Sequence, residues 1–234
     1  MSSKIEWLQT DGRPGFTINP VKGLCPVACL YCYARRMYKR FKWNPEIRFD
    51  PWWIEGIPKK PSKVFVGSTM ELFGEWVNPD CMKIIFDQVD FYPHHTFIFL
   101  TKRPENLIRY SPFPANCWVG VSATNARTFI EAGEALEDIK ATVKFISVEP
   151  LLDWQHGETG YIAHCLQKWG IGWLILGQCT PVNNRTQPNP DWIREIITAA
   201  NSANIPAFVK DNIINDKVMD LRLQEMRQEF PHTS

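Results

Sequence analysis

Three cysteines within eight residues, Cys25, Cys29 and Cys32, constrain this chain more than any other feature of its sequence. Their spacing, C-x3-C-x2-C, allows a single loop to place three thiols around one metal centre. Thiolates are soft ligands that suit zinc or an iron–sulfur cluster, and a structural zinc site needs a fourth protein ligand. A four-iron cluster on three cysteines instead leaves one iron open to a substrate or cofactor. We therefore interpret the loop as a metal ligand set.

Two alternatives to this interpretation stay open. The three thiols could be buried structural cysteines, although such tight clustering makes this the weaker alternative. A zinc site completed by His94, His95 or a remote cysteine is the stronger alternative. Because His94 and His95 precede a predicted strand, we expect them to lie at the edge of the sheet away from the cysteines and to serve a turn.

Composition sets the broad class of the protein. The 234 residues are enough for one substantial core, with 44% hydrophobic and 22% charged residues, so we expect a single domain over residues 1–234. No apolar run approaches the length of a membrane helix, and the first residues have no signal-peptide pattern. We expect a cytoplasmic protein whose cysteines are reduced and which has no membrane partner. The net charge of +1 gives no global case for a polyanionic partner.

Short apolar segments alternate with helical ones along the chain. The predicted strands are residues 16–21, 61–68, 95–100, 117–121, 142–148, 173–177 and 205–210. The predicted helices are residues 33–41, 78–90, 104–110, 126–139 and 190–204. Continuous apolar strands separated by helices predict a parallel sheet covered by helices, since right-handed crossovers coil such a sheet. The predicted fold is therefore α/β, a partial (β/α)6 barrel of the TIM type, with a doubly wound sheet as the alternative.

Polar residues follow almost every predicted strand, and the carboxyl ends of barrel strands carry the active site. The cysteine loop and six further residues would lie there: Ser68, Lys102, Ser122, Glu149, Gln178 and Lys210. A cation at Lys102 or Arg103 would oppose the dipole of a helix that begins there, which indicates an anionic ligand. For Cys179, which follows the strand predicted at residues 173–177, a buried structural thiol is the better interpretation.

The spacing C-x3-C-x-aromatic-C, with Tyr31 as the aromatic residue, resembles the motif of the radical S-adenosylmethionine (SAM) superfamily. Further segments resemble a phage-associated and bacterial family of radical-SAM-like proteins of the DUF5131 type, over about residues 5–210: 19–23, 32–34, 71–73, 100–104, 118–122 and 147–152. The family usually has a longer gap between its first two cysteines. Its Gly-Gly-Glu-Ser-Gly-like stretch is replaced here by residues 177–181, so no substrate contacts are carried over from the family.

The resemblance implies a [4Fe-4S] cluster on Cys25, Cys29 and Cys32 whose open iron binds SAM and cleaves it to a 5′-deoxyadenosyl radical, which takes hydrogen from a substrate. An external reductant such as flavodoxin or ferredoxin would supply the electron. A segment that binds the SAM amino group would fall at residues 67–71. The implied SAM-binding residues are Tyr31, Ser68, Thr69, Lys102, Ser122, Asn125, Glu149 and Gly177. Cys179, if it lies at the same edge of the sheet, could donate a hydrogen atom to the substrate radical.

A nucleobase or nucleotide, in modification or repair of nucleic acid, is the hypothesis for the substrate. It depends on the phage association and on a basic, aromatic run at residues 35–43, where a solvated helix face is the simpler interpretation. One rival is a zinc-stabilised nucleic-acid-binding module without catalysis. Another is an iron–sulfur redox protein that uses no SAM.

Overall fold

The computed structural model describes residues 2–9, 12–155, 157–182, 185–214 and 227–231. The chain forms two compact units, Met1–Val119 and Gly120–Ser234, called here the first and second unit. Strand β6, Cys117–Ala123, begins in the first unit and ends in the second. No helix in the described ranges has the length and apolar character needed to cross a membrane.

The first unit is built on parallel strands. Its elements are β1 (Phe16–Ile18), β2 (Val21–Lys22), α1 (Tyr33–Phe41), β3 (Arg48–Phe49), β4 (Lys63–Val66), α2 (Pro79–Phe91) and β5 (Thr96–Thr101), with 3-10 helices at Glu6–Leu8, Pro51–Gly56 and Pro104–Tyr110. Strand β4 pairs in parallel with β1 on one side and β5 on the other, with Phe65 opposite Thr17 and Ile98. Strands β2 and β3 form a separate antiparallel ribbon.

Local sequence explains why these elements form. Strands β4 and β5 are almost continuously apolar and are buried along most of their length, as parallel strands covered on both faces are. Helix α2 begins where the Asn78 side chain accepts a hydrogen bond from Asp80 N, with Pro79 in the first turn. Its buried residues Met82, Ile85 and Val89 lie on one helix face.

The second unit repeats the same construction. Its elements are α3 (Ala126–Glu137), β7 (Val143–Val148), α4 (Thr159–Lys168), β8 (Trp173–Leu176), α5 (Pro190–Ala203), β9 (Ala207–Val209) and α6 (Asp211–Ile214). Strand β8 pairs in parallel with β7 and β9, with Leu174 opposite Ile146 and Ala207. A capping box between Asn125 and Thr128 starts α3.

The strand order is β1-β4-β5-β6-β7-β8-β9, with helices between successive strands. The predicted α/β class with a parallel sheet of the partial-barrel type is therefore confirmed. One predicted strand, residues 16–21, is divided into β1 and β2 with Asn19 and Pro20 between them. Proline has no N–H to donate to a strand ladder, which accounts for the interruption.

Candidate functional site

The cysteine loop connects β2 to α1 in the first unit, shortly after the first strand. Cys32 occupies the N-cap position of α1, and its backbone N–H donates to Cys29 O at 3.1 Å. Ala28 adopts the left-handed backbone conformation, with φ of 56°, so the loop turns tightly between the first and second cysteines. All three thiols are free and half-buried.

The three sulfurs are not gathered into a metal-binding group. Within the described residues, no set of three or more His, Cys, Asp or Glu side chains is placed to hold a metal ion. Burial raises the pKa of the Cys25 thiol, the nearby Glu71 carboxylate and Cys29 raise it further, and backbone N–H groups of Glu71 and Val27 partly offset the rise. A bound metal cation would favour the thiolate and so act against this burial effect.

Hydrogen bonds fix the cysteine loop at its base. Arg35 Nη2 donates to Cys25 O at 2.8 Å, and Gly23 N donates to Tyr38 Oη at 2.8 Å. Gly23 has a φ of 128°, and a side chain there would lie 2.6 Å from Glu46 O. The start of the loop therefore requires glycine. The side chains of Arg35 and Tyr38 on α1 hold the loop through these two hydrogen bonds.

Polar groups at the ends of β1 and β4 form one hydrogen-bonded cluster. Asn19 Oδ1 accepts from Thr69 N at 3.0 Å, Thr69 Oγ1 at 2.9 Å and Ser68 Oγ at 3.3 Å. Tyr33 Oη, one residue beyond the last cysteine, donates to Ser68 O at 2.7 Å. The predicted residues Ser68 and Thr69 thus lie against the helix that follows the cysteine loop.

Glu71 connects this cluster to the end of β5. The residue is only 7% exposed, and its carboxylate accepts hydrogen bonds from Thr101 Oγ1 (2.7 Å), Phe73 N (3.0 Å) and Lys102 N (2.7 Å). Glu71 belongs to the segment expected to bind the SAM amino group, and its sequence context does not reveal these three donors. The sequence gives one indication that Glu71 is buried: it directly precedes the apolar residues Leu72 and Phe73.

The two adjacent cations at the end of β5 have different surroundings. Arg103 pairs with Glu75 at 3.3 Å and Glu105 at 3.5 Å, and its guanidinium lies 5.6 Å from the Trp76 ring centroid. Its charge is therefore matched within the first unit. An anionic ligand at Lys102 stays a prediction.

His94 and His95 lie before β5, as predicted. His95 is buried, and its Nδ1 accepts a hydrogen bond from Ser62 N at 3.2 Å, immediately before β4. Burial lowers the pKa of His95, and the neighbouring His94 lowers it further. These contacts join the amino-terminal ends of two strands, which is the turn role that the sequence indicated.

In the second unit, the predicted residues occupy the ends of β6, β7 and β8. Ser122 lies within β6, while Asn125 Oδ1 accepts from Thr128 N at 2.9 Å and so caps α3. Cys179 is buried and free, as a structural thiol would be. Buried Gln178 contacts Asn212, whose Nδ2 donates to Gln178 O at 2.9 Å.

Glu149 and Lys210 form an ion pair at the ends of β7 and β9. Lys210 Nζ lies 2.5 Å from Glu149 Oε1. The side chain of Lys210 is 14% exposed and that of Glu149 is 26% exposed. Gly177, at the end of β8, lies against both side chains of this ion pair. A Cβ added at Gly177 would lie 2.9 Å from Glu149 Cγ and 3.0 Å from Lys210 Cδ. A side chain at position 177 would therefore displace the pair.

Breaking this pair should give a measurable coupling energy. We expect Glu149→Gln and Lys210→Met to be non-additive in the free energy of unfolding, with a coupling of about 1–3 kcal/mol, because each single change leaves a partly buried charge without its partner. Urea unfolding of both single variants and the double variant measures it. The exposed pair Lys83 and Asp87 of α2 is the control, with an expected coupling of about 0.5 kcal/mol or less. Equal coupling in both pairs would contradict this.

The fold and site together define a parallel α/β protein with a three-cysteine loop after its first strand. Residues 2–222 match the family described as "Protein of unknown function (DUF5131)", and the chain belongs to that family. The resemblance to this family that the sequence analysis described is confirmed. No curated protein matches the sequence.

Among solved structures, the chain is similar to spore photoproduct lyase complexed with dinucleoside spore photoproduct. The two are 15% identical, with a TM-score of 0.46. The match covers 75% of this chain and spans 57% of the length of the lyase chain.

Proposed function

We propose that the protein is a radical SAM enzyme that binds a [4Fe-4S] cluster through Cys25, Cys29 and Cys32. The observation that carries the proposal is the hydrogen-bonded connection between the cysteine loop and the strand ends of the first unit. Arg35 joins α1 to the loop at Cys25, and Tyr33 joins the same helix to the end of β4. A loop held at this edge is where an α/β fold of this type carries its chemistry.

The donor set suits the cluster in kind and number. Three free thiols in one short loop supply three soft ligands, and a fourth iron without a protein ligand is the position that a cofactor can occupy. Arg35 holds the base of the loop to α1 at Cys25 O. On this proposal, the loop tightens around the cluster when it binds.

When bound, such a cluster supplies the electron that cleaves SAM to a 5′-deoxyadenosyl radical, which takes hydrogen from the substrate. The chain itself would bind and orient SAM. Asn19 fixes Ser68 and Thr69, whose polar groups suit the SAM amino group, and Lys102 can meet its carboxylate. Tyr31, Ser122, Asn125, Glu149 and Gly177 stay predicted SAM-binding residues, and Cys179 stays the predicted hydrogen donor.

The electron would come from an external reductant such as flavodoxin or ferredoxin, because the [4Fe-4S] cluster must be in its reduced state to cleave SAM. A nucleobase or nucleotide is the proposed substrate class. An adenosyl radical is reactive enough to take hydrogen from a sugar C–H bond or a base methyl group, and the basic and aromatic residues of the 35–43 run suit a nucleic acid.

Anaerobic reconstitution with iron and sulfide tests the proposal. We expect a brown protein that absorbs near roughly 400 nm and that releases 5′-deoxyadenosine from SAM when dithionite is added. Iron analysis, absorption spectroscopy and chromatography of the nucleoside products are the measurements. The release should require both SAM and the reductant.

Two outcomes would overturn the proposal. A colourless protein that carries stoichiometric zinc after purification would support the zinc-stabilised rival. An intact cluster that shows no SAM binding in a titration and no SAM cleavage would support a redox protein instead.

A further inference from the structure

An exposed basic and aromatic surface covers the outer side of α1 and the turn after it. We call this the α1 surface, and it consists of Arg36, Lys39, Arg40, Phe41, Lys42 and Trp43. Residues 33–43 contain five basic residues and no acidic one, although the whole chain has a net charge of only +1. The positive charge is therefore concentrated locally.

The inner side of α1 is already occupied. Ala34 is buried, Arg35 binds Cys25 O, and Tyr38 Oη accepts from Gly23 N at 2.8 Å. Arg36, Lys39 and Arg40 are exposed, and their i, i+3, i+4 spacing places them on one helix face. The basic face therefore points away from the contacts that hold the cysteine loop.

Two aromatic rings lie exposed at the end of this basic face. Phe41 and Trp43 are 52% and 42% exposed, and their rings stack with centroids 5.5 Å apart and an angle of 24° between their planes. Tyr38 packs edge-on against Trp43 at 5.2 Å, and the Arg40 guanidinium lies 5.3 Å from the Phe41 centroid. The rings are thus pre-oriented by neighbouring side chains.

Three cations of the α1 surface, Lys39, Arg40 and Lys42, are available to an anion. In the described part of the chain, Lys39, Arg40 and Lys42 form no ion pair with a carboxylate. Asp50, a nearby acid in sequence, is paired with Lys22 at 2.5 Å. Pairing with Lys22 also lowers the pKa of Asp50, which therefore stays charged and engaged.

We propose that the α1 surface binds single-stranded nucleic acid. Lys39, Arg40 and their basic neighbours would meet the phosphates, and unpaired bases would stack on Phe41 and Trp43. A duplex keeps its bases stacked internally and so cannot use the rings. A membrane-binding helix would present apolar side chains along its outer face, where this helix presents arginine and lysine.

The bound strand would lie on the last turn of the helix that follows the cysteine loop, since Cys32 is the N-cap residue of α1. Binding itself does not depend on the proposed radical chemistry, since the surface includes no cysteine. If the chemistry is also correct, the α1 surface would present a nucleotide substrate to it.

Fluorescence anisotropy with the full chain tests the proposal, using a labelled mixed-sequence oligonucleotide as single-stranded DNA, single-stranded RNA and duplex DNA. We expect a single strand to bind more tightly than the duplex, with an affinity that falls as salt rises. Lys39→Glu combined with Arg40→Glu should weaken single-strand binding at least about tenfold and reduce the salt slope by roughly 1.4, for two lost phosphate contacts. Phe41→Ala combined with Trp43→Ala should weaken binding about tenfold with little change in the slope.

The matched control is Lys59→Glu combined with Lys60→Glu, an equal charge change at two exposed lysines of the same unit. This control should bind like the unchanged protein. Equal weakening in the control, equal affinity for duplex and single strand, or binding to phosphatidylserine vesicles without oligonucleotide binding would each overturn the proposal. Because the assay contains no SAM and no reductant, its result is separate from the test of the radical chemistry. Circular dichroism verifies that each variant is folded.

Discussion

Replacing Cys29 with alanine is expected to abolish both cluster binding and SAM cleavage. A [4Fe-4S] cluster held by three thiolates cannot keep its geometry on two, so iron should fall from about four per chain to background after reconstitution. The absorption near roughly 400 nm and the release of 5′-deoxyadenosine should be lost together. Iron analysis and product chromatography on protein handled without oxygen measure both effects.

Cys81→Ala is the matched control for this experiment. Cys81 is also a free, half-buried thiol of the first unit, but it lies in the first turn of α2 and not in the cysteine loop. The control variant should keep its iron and its activity. Iron and cleavage retained in Cys29→Ala, or lost equally in Cys81→Ala, would show that the cysteine loop is not the ligand set.

The parallel strands could be predicted because their sequences have few interpretations. Segments such as Lys63–Val66 and Trp173–Leu176 are short, apolar and bounded by turn residues, which indicates strands buried on both faces. Once a strand is predicted, the residues directly after it must lie at its carboxyl end. The placement of Ser68, Lys102 and Glu149 after strands was therefore available from sequence.

Elements with weak local signals were harder to predict. Helix α4, Thr159–Lys168, was missed because no side chain caps its start and glycine occupies its first turn. Its buried residues Ile162, Cys165 and Leu166 do have helical spacing. Residues 104–110 were predicted as a helix, and they form a 3-10 helix.

The hydrogen-bond partners of the candidate site could not be predicted. Asn19 follows β1, yet its side-chain oxygen accepts hydrogen bonds from Ser68 and Thr69, about fifty residues away in sequence. Tyr33 reads in sequence as a helix residue, and only the folded chain shows that it reaches Ser68 O. Pairings of this kind depend on how neighbouring strand ends meet, which a pattern of residue types does not encode.

Replacing Glu71 with alanine is expected to cause a large loss of stability. The buried carboxylate accepts hydrogen bonds from Thr101 Oγ1, Phe73 N and Lys102 N. Removing it leaves three donors without an acceptor in a site from which water is largely excluded. We expect the free energy of unfolding to fall by about 3–5 kcal/mol. Urea unfolding followed by tryptophan fluorescence measures it.

Glu71→Gln separates the lost acceptor from the lost charge. The glutamine carbonyl can replace one carboxylate oxygen, but its NH2 group would face a backbone or hydroxyl donor, so we expect a smaller loss of about 2–3 kcal/mol. Glu46→Ala, at an exposed residue of the same unit, is the control and should change stability by about 0.5 kcal/mol or less. If Glu71→Ala were no more costly than Glu46→Ala, the carboxylate would not be what holds the ends of β4 and β5 together.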